Sequence, residues 1–282
     1  MKSTTHQSSR KLDLSRFYPT RPNQGRKGDY GRVLVVGGSE TYSGCLAFNA
    51  LAALRAGADL AVIVAPRRAA DIVAGYSADL ITVPCNTPYP DPRIVKTQSD
   101  RTDVLVIGCG VQRTASAHNA LLTIIKESKA PIVADAESLH ALSTKPNHIH
   151  GKMLLTPNPA EFQILAGKPW PSSRPERIDA TRSLARKYHA TVIVKGAEDF
   201  ISDGEKISID LNGSAYMTKG GYGDLLAGVA SAVLARGFDQ FDAARAAAYI
   251  VGKAGELASK NLGEGTLAND ALQQISTIIH QG

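Results

Sequence analysis

Short apolar runs that each stop at a polar or glycine turn constrain the fold of this chain more than any other feature. The first is Arg-Val-Leu-Val-Val at residues 32–36, which stops at Gly37-Gly38-Ser39. Runs of this length, rich in β-branched residues, are typical of strands buried on both faces of a sheet. Similar runs at 60–64, 104–107, 131–134, 153–155 and 191–194 alternate with helix-like segments at 42–56, 116–128, 160–166 and 177–188.

This alternation of strands and helices predicts an α/β fold with a mostly parallel central sheet and helices on both faces. We expect a single domain over residues 27–282, with a hairpin around Asp203-Gly204 and a helical region from Asp224 onwards. Residues 1–26 are rich in Ser, Thr, Arg, Gln and Lys, which predicts a poorly ordered lead-in with one short helix near 12–17.

The turns that end the strands are the expected place for a ligand. In open parallel sheets, ligands bind beyond the carboxyl ends of the strands. The turns in question are Gly37-Gly38-Ser39, Gly108-Cys109-Gly110, Asp135, Thr156-Pro157-Asn158 and Lys195-Gly196. We expect them to meet along one crevice.

Composition excludes several classes of protein. Hydrophobic residues make up 43% and charged residues 21%, as in soluble globular proteins. The net charge of +6 comes from scattered basic residues, without the basic and aromatic clusters of a nucleic-acid groove. No apolar run is long enough for a membrane span, and residues 1–10 do not resemble a signal peptide. We expect a cytoplasmic protein that binds neither nucleic acid nor membrane.

The three cysteines are widely spaced. Cys45, Cys85 and Cys109 form no Cys-x-x-Cys pair, so their spacing suggests neither a disulfide framework nor a zinc site. A reducing compartment fits this pattern.

A glycine cluster, Gly220-Gly221-Tyr222-Gly223-Asp224, runs directly into an Ala/Leu-rich helix. Backbone N–H groups of such a turn, together with the positive end of the helix dipole, can bind a phosphate that glycine lets approach closely. Asp224 lies at the helix start. The alternative is structural, because glycine permits any tight turn and Asp is a favoured N-cap. The cluster is not a Walker A loop, which requires Gly-Lys-Ser/Thr.

Two other strand ends could take part in phosphate chemistry. Lys195-Gly196 follows a strand, where the lysine could neutralise phosphate and the glycine could lie against a nucleotide. Asn158 and Glu161 stand one helical turn apart and could hold a hydrated Mg²⁺, although an N-cap Asn with a first-turn Glu explains them equally well. The glycines after residue 36 do not match a dinucleotide fingerprint, and the histidines show no metal-ligand spacing.

Over residues 27–275 the chain resembles the ribokinase-like superfamily and, within it, the ADP- or ATP-dependent NAD(P)H-hydrate dehydratases. The order and spacing of several motifs carry the resemblance. They are Lys27-Gly28-Asp29-Tyr30-Gly31, the strand ending at Gly37-Gly38-Ser39, Tyr42-Ser43-Gly44-Cys45, Leu54-Arg55-Ala56-Gly57-Ala58, Gly108-Cys109-Gly110, Asp135-Ala136-Glu137-Ser138-Leu139, Leu155-Thr156-Pro157, Lys195-Gly196 and Gly221 to Gly228.

The resemblance implies a ribokinase-like fold and a hydro-lyase that repairs NADH or NADPH hydrate, using ADP or ATP with Mg²⁺, in a homo-oligomer. Asp224 would be the general base that takes the proton from the ring hydroxyl as it attacks the terminal phosphate. The nucleotide would lie against Lys195, Gly196, Ala197, Glu198, Asp199, Gly221 and Gly223. The hydrated dinucleotide would contact Cys45, Gly110, Asn158 and Asp224, and Glu161 would serve the metal.

Three departures from the family pattern keep other functions open. Tyr222 stands where the family usually has Thr and is bulky enough to narrow the site, Asn158 stands for a histidine, and Cys45 stands for an alanine. Asn158 with Glu161 also restores an Asn-x-x-Glu pattern like that of superfamily members that phosphorylate small alcohols. The alternatives are therefore an ATP-dependent kinase of a vitamin precursor or sugar, and an inactive nucleotide-binding protein.

Overall fold

A computed structural model describes residues 6–9 and 11–282 of the chain. The strands within these residues are β1 (His6–Ser9), β2 (Arg32–Val36), β3 (Leu60–Pro66), β4 (Ile81–Cys85), β5 (Val104–Ile107), β6 (Ile132–Ala134), β7 (Met153–Leu155), β8 (Thr191–Val194), β9 (Asp199–Ser202) and β10 (Ile207–Asp210). The α-helices are α1 (Gly44–Arg55), α2 (Arg67–Ala74), α3 (Pro92–Ser99), α4 (Ala115–Glu127), α5 (Glu137–Thr144), α6 (Pro159–Ala166), α7 (Arg174–Tyr188), α8 (Tyr222–Ala235), α9 (Gln240–Leu262) and α10 (Ala268–Gln281).

All the described strands belong to one sheet in the order β1-β10-β9-β8-β7-β6-β5-β2-β3-β4. Strand β9 runs antiparallel to β8 and β10, and the other neighbouring strands pair in parallel. The predicted α/β class and mostly parallel sheet are confirmed. The predicted hairpin is β9–β10, and Gly204 in its turn has φ = 99°, a conformation that glycine adopts without strain.

Successive residues of the central strands pack into two separate apolar layers. On β2, Val33 and Val35 join the layer that contains α1 and α8, whereas Leu34 and Val36 join the layer that contains α4 and α5. Side chains of a strand alternate between the two faces, so a strand with helices on both sides must be apolar at every position. This requirement explains the continuous apolar runs of the sequence.

Strand β4 and the helices α2 and α3 were absent from the sequence prediction. Strand β4 is an edge strand that contains Pro84, and its exposed Ile81 breaks the pattern of full burial. Proline is tolerated at such an edge because one side of the strand has no partner. A search for buried strands therefore misses it.

Part of the segment before residue 27 packs against the domain. Leu14 and Phe17 are wholly buried, and the Phe17 ring lies 4.8 Å from that of Phe238. Arg236 Nε donates a hydrogen bond to the Phe17 carbonyl oxygen (3.1 Å). Residues 15–17 form a turn, without the helix predicted near 12–17, and apolar burial holds this segment on the domain. Residues 1–5 and 10 lie outside the described residues.

In the described part of the chain, no helix combines the length and apolar character needed to cross a membrane.

Candidate functional site

Four of the turns singled out in the sequence meet at the carboxyl edge of the sheet. The Gly38 N–H donates to the carbonyl oxygen of Cys109 (2.8 Å), which joins the turns after β2 and β5. A Cβ atom on Gly108 would lie 2.2 Å from the Asp135 carbonyl oxygen, so this approach requires glycine. Thr156 Oγ1 donates to Asp135 Oδ1 (2.6 Å), which adds the turn after β7. The turns form one continuous wall, as the strand-end argument predicts.

An ion pair between Lys195 and Asp135 joins the fifth turn to this wall. Lys195 Nζ lies 2.6 Å from Asp135 Oδ1, and the two side chains are 20% and 6% exposed. Burial lowers the pKa of Lys195, but the charges of Asp135 and Glu161 outweigh this effect and raise it overall. The lysine therefore brings a fixed positive charge to the site.

The glycine cluster lies directly against this lysine. Helix α8 begins at Tyr222 after Gly221, whose φ of 104° is the left-handed conformation that glycine favours. The first bond inside the helix runs from the Leu225 N–H to the Gly221 carbonyl oxygen (3.0 Å), so the N–H groups before it have no partner in their own helix. A Cβ atom on Gly223 would stand 3.3 Å from Lys195 Nζ. Lys195 thus lies at the first turn of α8, next to N–H groups that have no acceptor within their own helix.

The side chain of Asp224 is not used to cap its helix. No side-chain hydrogen bond caps the start of α8. Instead Asp224 Oδ1 accepts a hydrogen bond from Asn49 Nδ2 on α1 (3.0 Å). Burial, and then the charge of Asp135, raise the pKa of Asp224 to about 7, whereas Lys195 and Asn49 act in the opposite direction. The alternative that Asp224 serves as the helix N-cap is therefore excluded.

Cys45 lies beside Asp224, and Gly110 lies against Cys45. A Cβ atom on Gly110 would be 2.5 Å from Cys45 Sγ. The sulfur atoms of Cys45 and Cys109 and a carboxylate oxygen of Asp224 all lie within 4.8 Å of one another. One residue expected to contact the substrate thus adjoins Asp224, and a second packs against the first.

Asn158 and Glu161 form a capping box at the start of α6. Asn158 Oδ1 accepts hydrogen bonds from the N–H groups of Ala160 (2.9 Å) and Glu161 (3.0 Å), and Glu161 Oε2 accepts one from the Asn158 N–H (2.8 Å). The pair therefore forms the helix cap that the sequence offered as the alternative to a metal site. Burial raises the pKa of Glu161, and Asp135 adds to the effect although Lys195 opposes it.

The expectation that Tyr222 narrows the site is wrong. Its ring is buried in the apolar layer, and its hydroxyl donates to the Leu267 carbonyl oxygen (3.4 Å). A Cβ atom on the preceding Gly221 would lie 2.7 Å from Ala268 Cβ. The start of α8 is thus pressed against the start of α10, and the Tyr222 ring belongs to that contact.

Asn49 was missed in the sequence. It is wholly buried and bonds both Asp224 and the Cys45 carbonyl oxygen (2.9 Å). The signal was available, because Asn49 is a lone amide in the otherwise apolar stretch from Cys45 to Leu54. Buried polar side chains of this kind need partners, and those partners often lie in a site.

A second polar cluster, also missed, follows Asp135 in the chain. Glu137 is bound by Arg113 (Nε to Oε1, 2.9 Å) and lies 2.6 Å from His118 Nε2. His140 Nε2 lies 2.7 Å from an Arg113 nitrogen. Ala136, between Asp135 and Glu137, has φ = 49° and ψ = −122°, which is rare for a residue with a Cβ atom. The histidines could not be placed beside Glu137 from spacing alone.

A comparison with protein-family models matches residues 33–277 to the family described as NAD(P)H-hydrate dehydratase. The chain belongs to the NAD(P)H-hydrate dehydratase family. The resemblance stated from the sequence motifs is confirmed.

Curated relatives support this membership. The chain is 33% identical over 277 residues to the ADP-dependent (S)-NAD(P)H-hydrate dehydratase of Cenarchaeum symbiosum, covering 95% of this chain and 94% of the relative. It is 36% identical over 267 residues to the bifunctional NAD(P)H-hydrate repair enzyme of Pyrobaculum aerophilum, covering 93% of this chain and 53% of the relative. The chain thus spans about half the length of such bifunctional relatives.

Solved structures show the same fold. The ADP/ATP-dependent NAD(P)H-hydrate dehydratase of Bacillus subtilis, co-crystallised with ATP and Mg²⁺, superposes with a TM-score of 0.76 at 20% identity, covering 95% of each chain. A ribokinase-like superfamily protein of Enterococcus faecalis superposes with a TM-score of 0.83 at 20% identity, covering 98% of this chain and 96% of that one. The ribokinase-like, single-domain architecture expected from the sequence is confirmed.

Proposed function

We propose that this member of the NAD(P)H-hydrate dehydratase family dehydrates NADH or NADPH hydrate at the expense of ADP or ATP. The observation that carries the proposal is the placement of Asp224. Its carboxylate is held by Asn49 from another helix, in the first turn of α8 and near the Lys195–Asp135 ion pair. A base, a cation and a phosphate cradle are the parts that phosphoryl transfer to a hydroxyl requires.

In this mechanism Asp224 takes the proton of the ring hydroxyl while the hydroxyl oxygen attacks the terminal phosphorus of the nucleotide. A pKa near 7 suits a group that must accept a proton at neutral pH. The bond between the terminal phosphorus and the nucleotide breaks, and the shortened nucleotide leaves. Elimination of the new phosphate ester then restores the reduced nicotinamide and releases inorganic phosphate.

The phosphate side of the site consists of Gly221, Gly223 and Lys195. Because Gly223 lacks a side chain, a phosphate oxygen can reach the backbone N–H groups at the start of α8. Lys195 neutralises negative charge that builds up on the transferred phosphoryl group. Asp135, itself bonded to Thr156, fixes the position of the Lys195 side chain.

The remaining nucleotide contacts are assigned to the segment that continues from Lys195 through Gly196, Ala197, Glu198 and Asp199. Gly196 and Ala197 are exposed and leave room for a base or ribose. The Gly196 N–H donates to Asp199 Oδ1 (2.9 Å), and Glu198 lies 3.4 Å from Arg174, so both acids stabilise the loop.

For the hydrated dinucleotide we assign Cys45, Gly110 and Asn158 together with Asp224. Cys45 Sγ lies within 4.8 Å of an Asp224 oxygen, and Gly110 packs against that sulfur, so both residues lie near the carbon that would carry the hydroxyl. The side-chain oxygen of Asn158 is occupied by the capping box, so its contact with substrate would come from the remaining amide N–H₂ group.

Mg²⁺ would bind through the nucleotide phosphates, water and Glu161. One oxygen of Glu161 accepts the Asn158 N–H and the other has no part in the capping box, so a single water-mediated contact fits. When bound, the ion neutralises phosphate charge. A homo-oligomeric state and a cytoplasmic location remain predictions.

The capping box also bears on the kinase alternative. The Asn-x-x-Glu pattern that favoured a small-alcohol kinase is accounted for by the helix cap, because both side chains bond the backbone of α6. No other observation in the described residues favours a kinase over the dehydratase.

Incubation of the purified protein with NADH hydrate or NADPH hydrate, Mg²⁺ and either ADP or ATP tests the proposal. We expect recovery of the reduced-nicotinamide absorbance with release of one phosphate per turnover. A stable phosphorylated product without recovery of absorbance would establish a kinase. Absence of any turnover with tight nucleotide binding would establish the inactive alternative.

A further inference from the structure

Two of the three cysteines meet at the proposed base. Cys45 lies in the first turn of α1 and is half-buried, whereas Cys109 lies in the turn after β5 and is 1% exposed. Their sulfur atoms and an Asp224 oxygen lie within 4.8 Å of one another. The third cysteine, Cys85, ends the edge strand β4 and is no member of this group. Wide spacing in the sequence concealed the pair.

The three donors match the needs of a thiophilic divalent cation. Zn²⁺ binds thiolate at about 2.3 Å and carboxylate oxygen at about 2.0–2.2 Å, usually with tetrahedral geometry. Tetrahedral donors at these lengths stand roughly 3.5–3.8 Å apart, so closure requires inward movement of about 1 Å at most. Two sulfurs and one oxygen favour Zn²⁺ over Mg²⁺ or Ca²⁺, which take oxygen ligands.

The surroundings restrict these donors to one place. A Cβ atom on Gly110 would be 2.5 Å from Cys45 Sγ, and one on Gly37 would be 2.9 Å from Cys109 Sγ, so the backbone closes around both sulfurs. Asn49 Nδ2 donates to Asp224 and to the Cys45 carbonyl oxygen, which ties two of the donor residues together. Partners of this kind behind the ligands are a regular feature of metal sites.

Asn49 supplies a second, independent observation. It is wholly buried, and its Oδ1 atom accepts no hydrogen bond among the described residues. A buried oxygen without a donor is costly, and in proteins it commonly marks a place for bound water or an ion. A water carried by the cation could supply the missing donor.

We propose that Cys45, Cys109 and Asp224 form a binding site for one thiophilic divalent cation such as Zn²⁺. The bound cation inhibits the enzyme because it occupies the Asp224 carboxylate. Binding requires both cysteines as thiolates and Asp224 as a carboxylate, and the displaced protons go to solvent, with no change of oxidation state. The inhibitory part rests on the proposed function of Asp224, whereas the binding part does not.

Metal binding is measured without nucleotide, by equilibrium dialysis with Zn²⁺ and by absorbance with Co²⁺. We expect one ion per chain and the intense near-ultraviolet band of thiolate bound to Co²⁺. Cys45→Ala and Cys109→Ala should each lose the band and at least 100-fold in affinity. Cys85→Ala is the matched control and should bind as the unmodified protein does.

Several outcomes would overturn the binding site: no stoichiometric ion in the unmodified protein, retention of the band in Cys45→Ala, or its loss in Cys85→Ala. Cys109 is a core residue, so circular dichroism must first show that its variant folds. The half-buried Cys45 decides the question if the Cys109 variant does not fold.

Inhibition is measured separately, with free Zn²⁺ set by a metal buffer during turnover with Mg²⁺. The midpoint of inhibition should coincide with the dissociation constant, and a chelator should restore full activity. Stoichiometric binding through both cysteines with undiminished turnover would refute the inhibitory role and count against Asp224 as the base. If the protein lacks dehydratase activity altogether, the dialysis and absorbance results still decide whether the site exists.

Discussion

The substitution Gly223→Ala separates the stability of the glycine turn from its proposed role with phosphate. Gly223 is the second residue of α8 and has no positive φ, so an alanine fits the backbone. Its Cβ atom would lie 3.3 Å from Lys195 Nζ and 3.9 Å from Asp135 Oδ2. The added methyl group would therefore occupy the space assigned to the transferred phosphate.

The two expected effects differ in size and in sign. Replacing glycine by alanine inside a helix typically raises the free energy of unfolding by about 0.5–1 kcal/mol. The contact with the flexible end of Lys195 offsets part of this gain, so the free energy of unfolding should stay within about 1 kcal/mol of its original value. The Gly223→Ala backbone keeps its N–H, but a phosphate displaced by the methyl group can no longer reach such a donor, and losing one donor contact typically lowers kcat by about 10²–10³. Thus turnover should fall by at least 100-fold in a protein that remains folded.

Two neighbouring glycines provide the controls. Gly220→Ala places a methyl group in open space and should leave stability unchanged. Gly221→Ala would force φ = 104° on alanine and set its Cβ atom 2.7 Å from Ala268 Cβ, so stability should fall by about 1–3 kcal/mol.

Thermal unfolding and dehydratase turnover measure the two effects. For a chain of this size each kcal/mol shifts the unfolding midpoint by roughly 2–4 °C. A Gly223→Ala protein that unfolds normally and keeps turnover within threefold would refute the phosphate role of this turn.

Three further predictions follow from the same region. Asp224→Asn should lower turnover by about 10²–10⁴ while nucleotide binding changes only a few fold, because backbone groups hold the phosphate. Equal losses of turnover in a kinetic assay and of affinity in a nucleotide titration would contradict the role of Asp224 as a base. Ala136→Gly should raise the unfolding midpoint. The strain of φ = 49° costs alanine about 1–3 kcal/mol, which exceeds the entropy cost of about 0.5–1 kcal/mol that glycine adds. A lower midpoint in a thermal scan would show that the backbone at this residue carries no strain. Burial raises the pKa of Glu137, but hydrogen bonds from Arg113 and His118 outweigh it and lower the pKa overall. This carboxylate should therefore stabilise the protein at neutral pH and cease to do so as acid protonates it, so urea unfolding of Glu137→Gln should show lower stability at pH 7 and a flatter decline below about pH 4.5; identical pH profiles would exclude this contribution.

The central strands could be predicted because burial on both faces leaves a continuous apolar run. The edge strand β4 could not, since one side of it has no partner strand and Ile81 is exposed. Similarly, polar composition suggested poor order before residue 27, whereas two apolar side chains of that segment, Leu14 and Phe17, are buried against the domain. The average composition of a segment does not reveal single apolar residues that pack into the core.

The residues of the proposed phosphate side could also be singled out from the sequence, because they end strands or begin a helix. Asn49 and Cys109 were not assigned a role, because their positions depend on packing of α1 against α8 and on the approach of neighbouring turns. The capping box of Asn158 and Glu161 shows the converse problem. One pattern fitted a metal site and a helix cap equally well, and three-dimensional geometry was needed to identify the cap.

The hydrogen bond between Asn49 and Asp224 joins residues 175 positions apart. It forms only when the first helix and the eighth are both docked on the sheet, and closing so long a loop is slow compared with forming local helices. During refolding, far-ultraviolet circular dichroism should therefore recover first and catalytic turnover last. Enzymatic activity would then report the final docking step in the assembly of this domain.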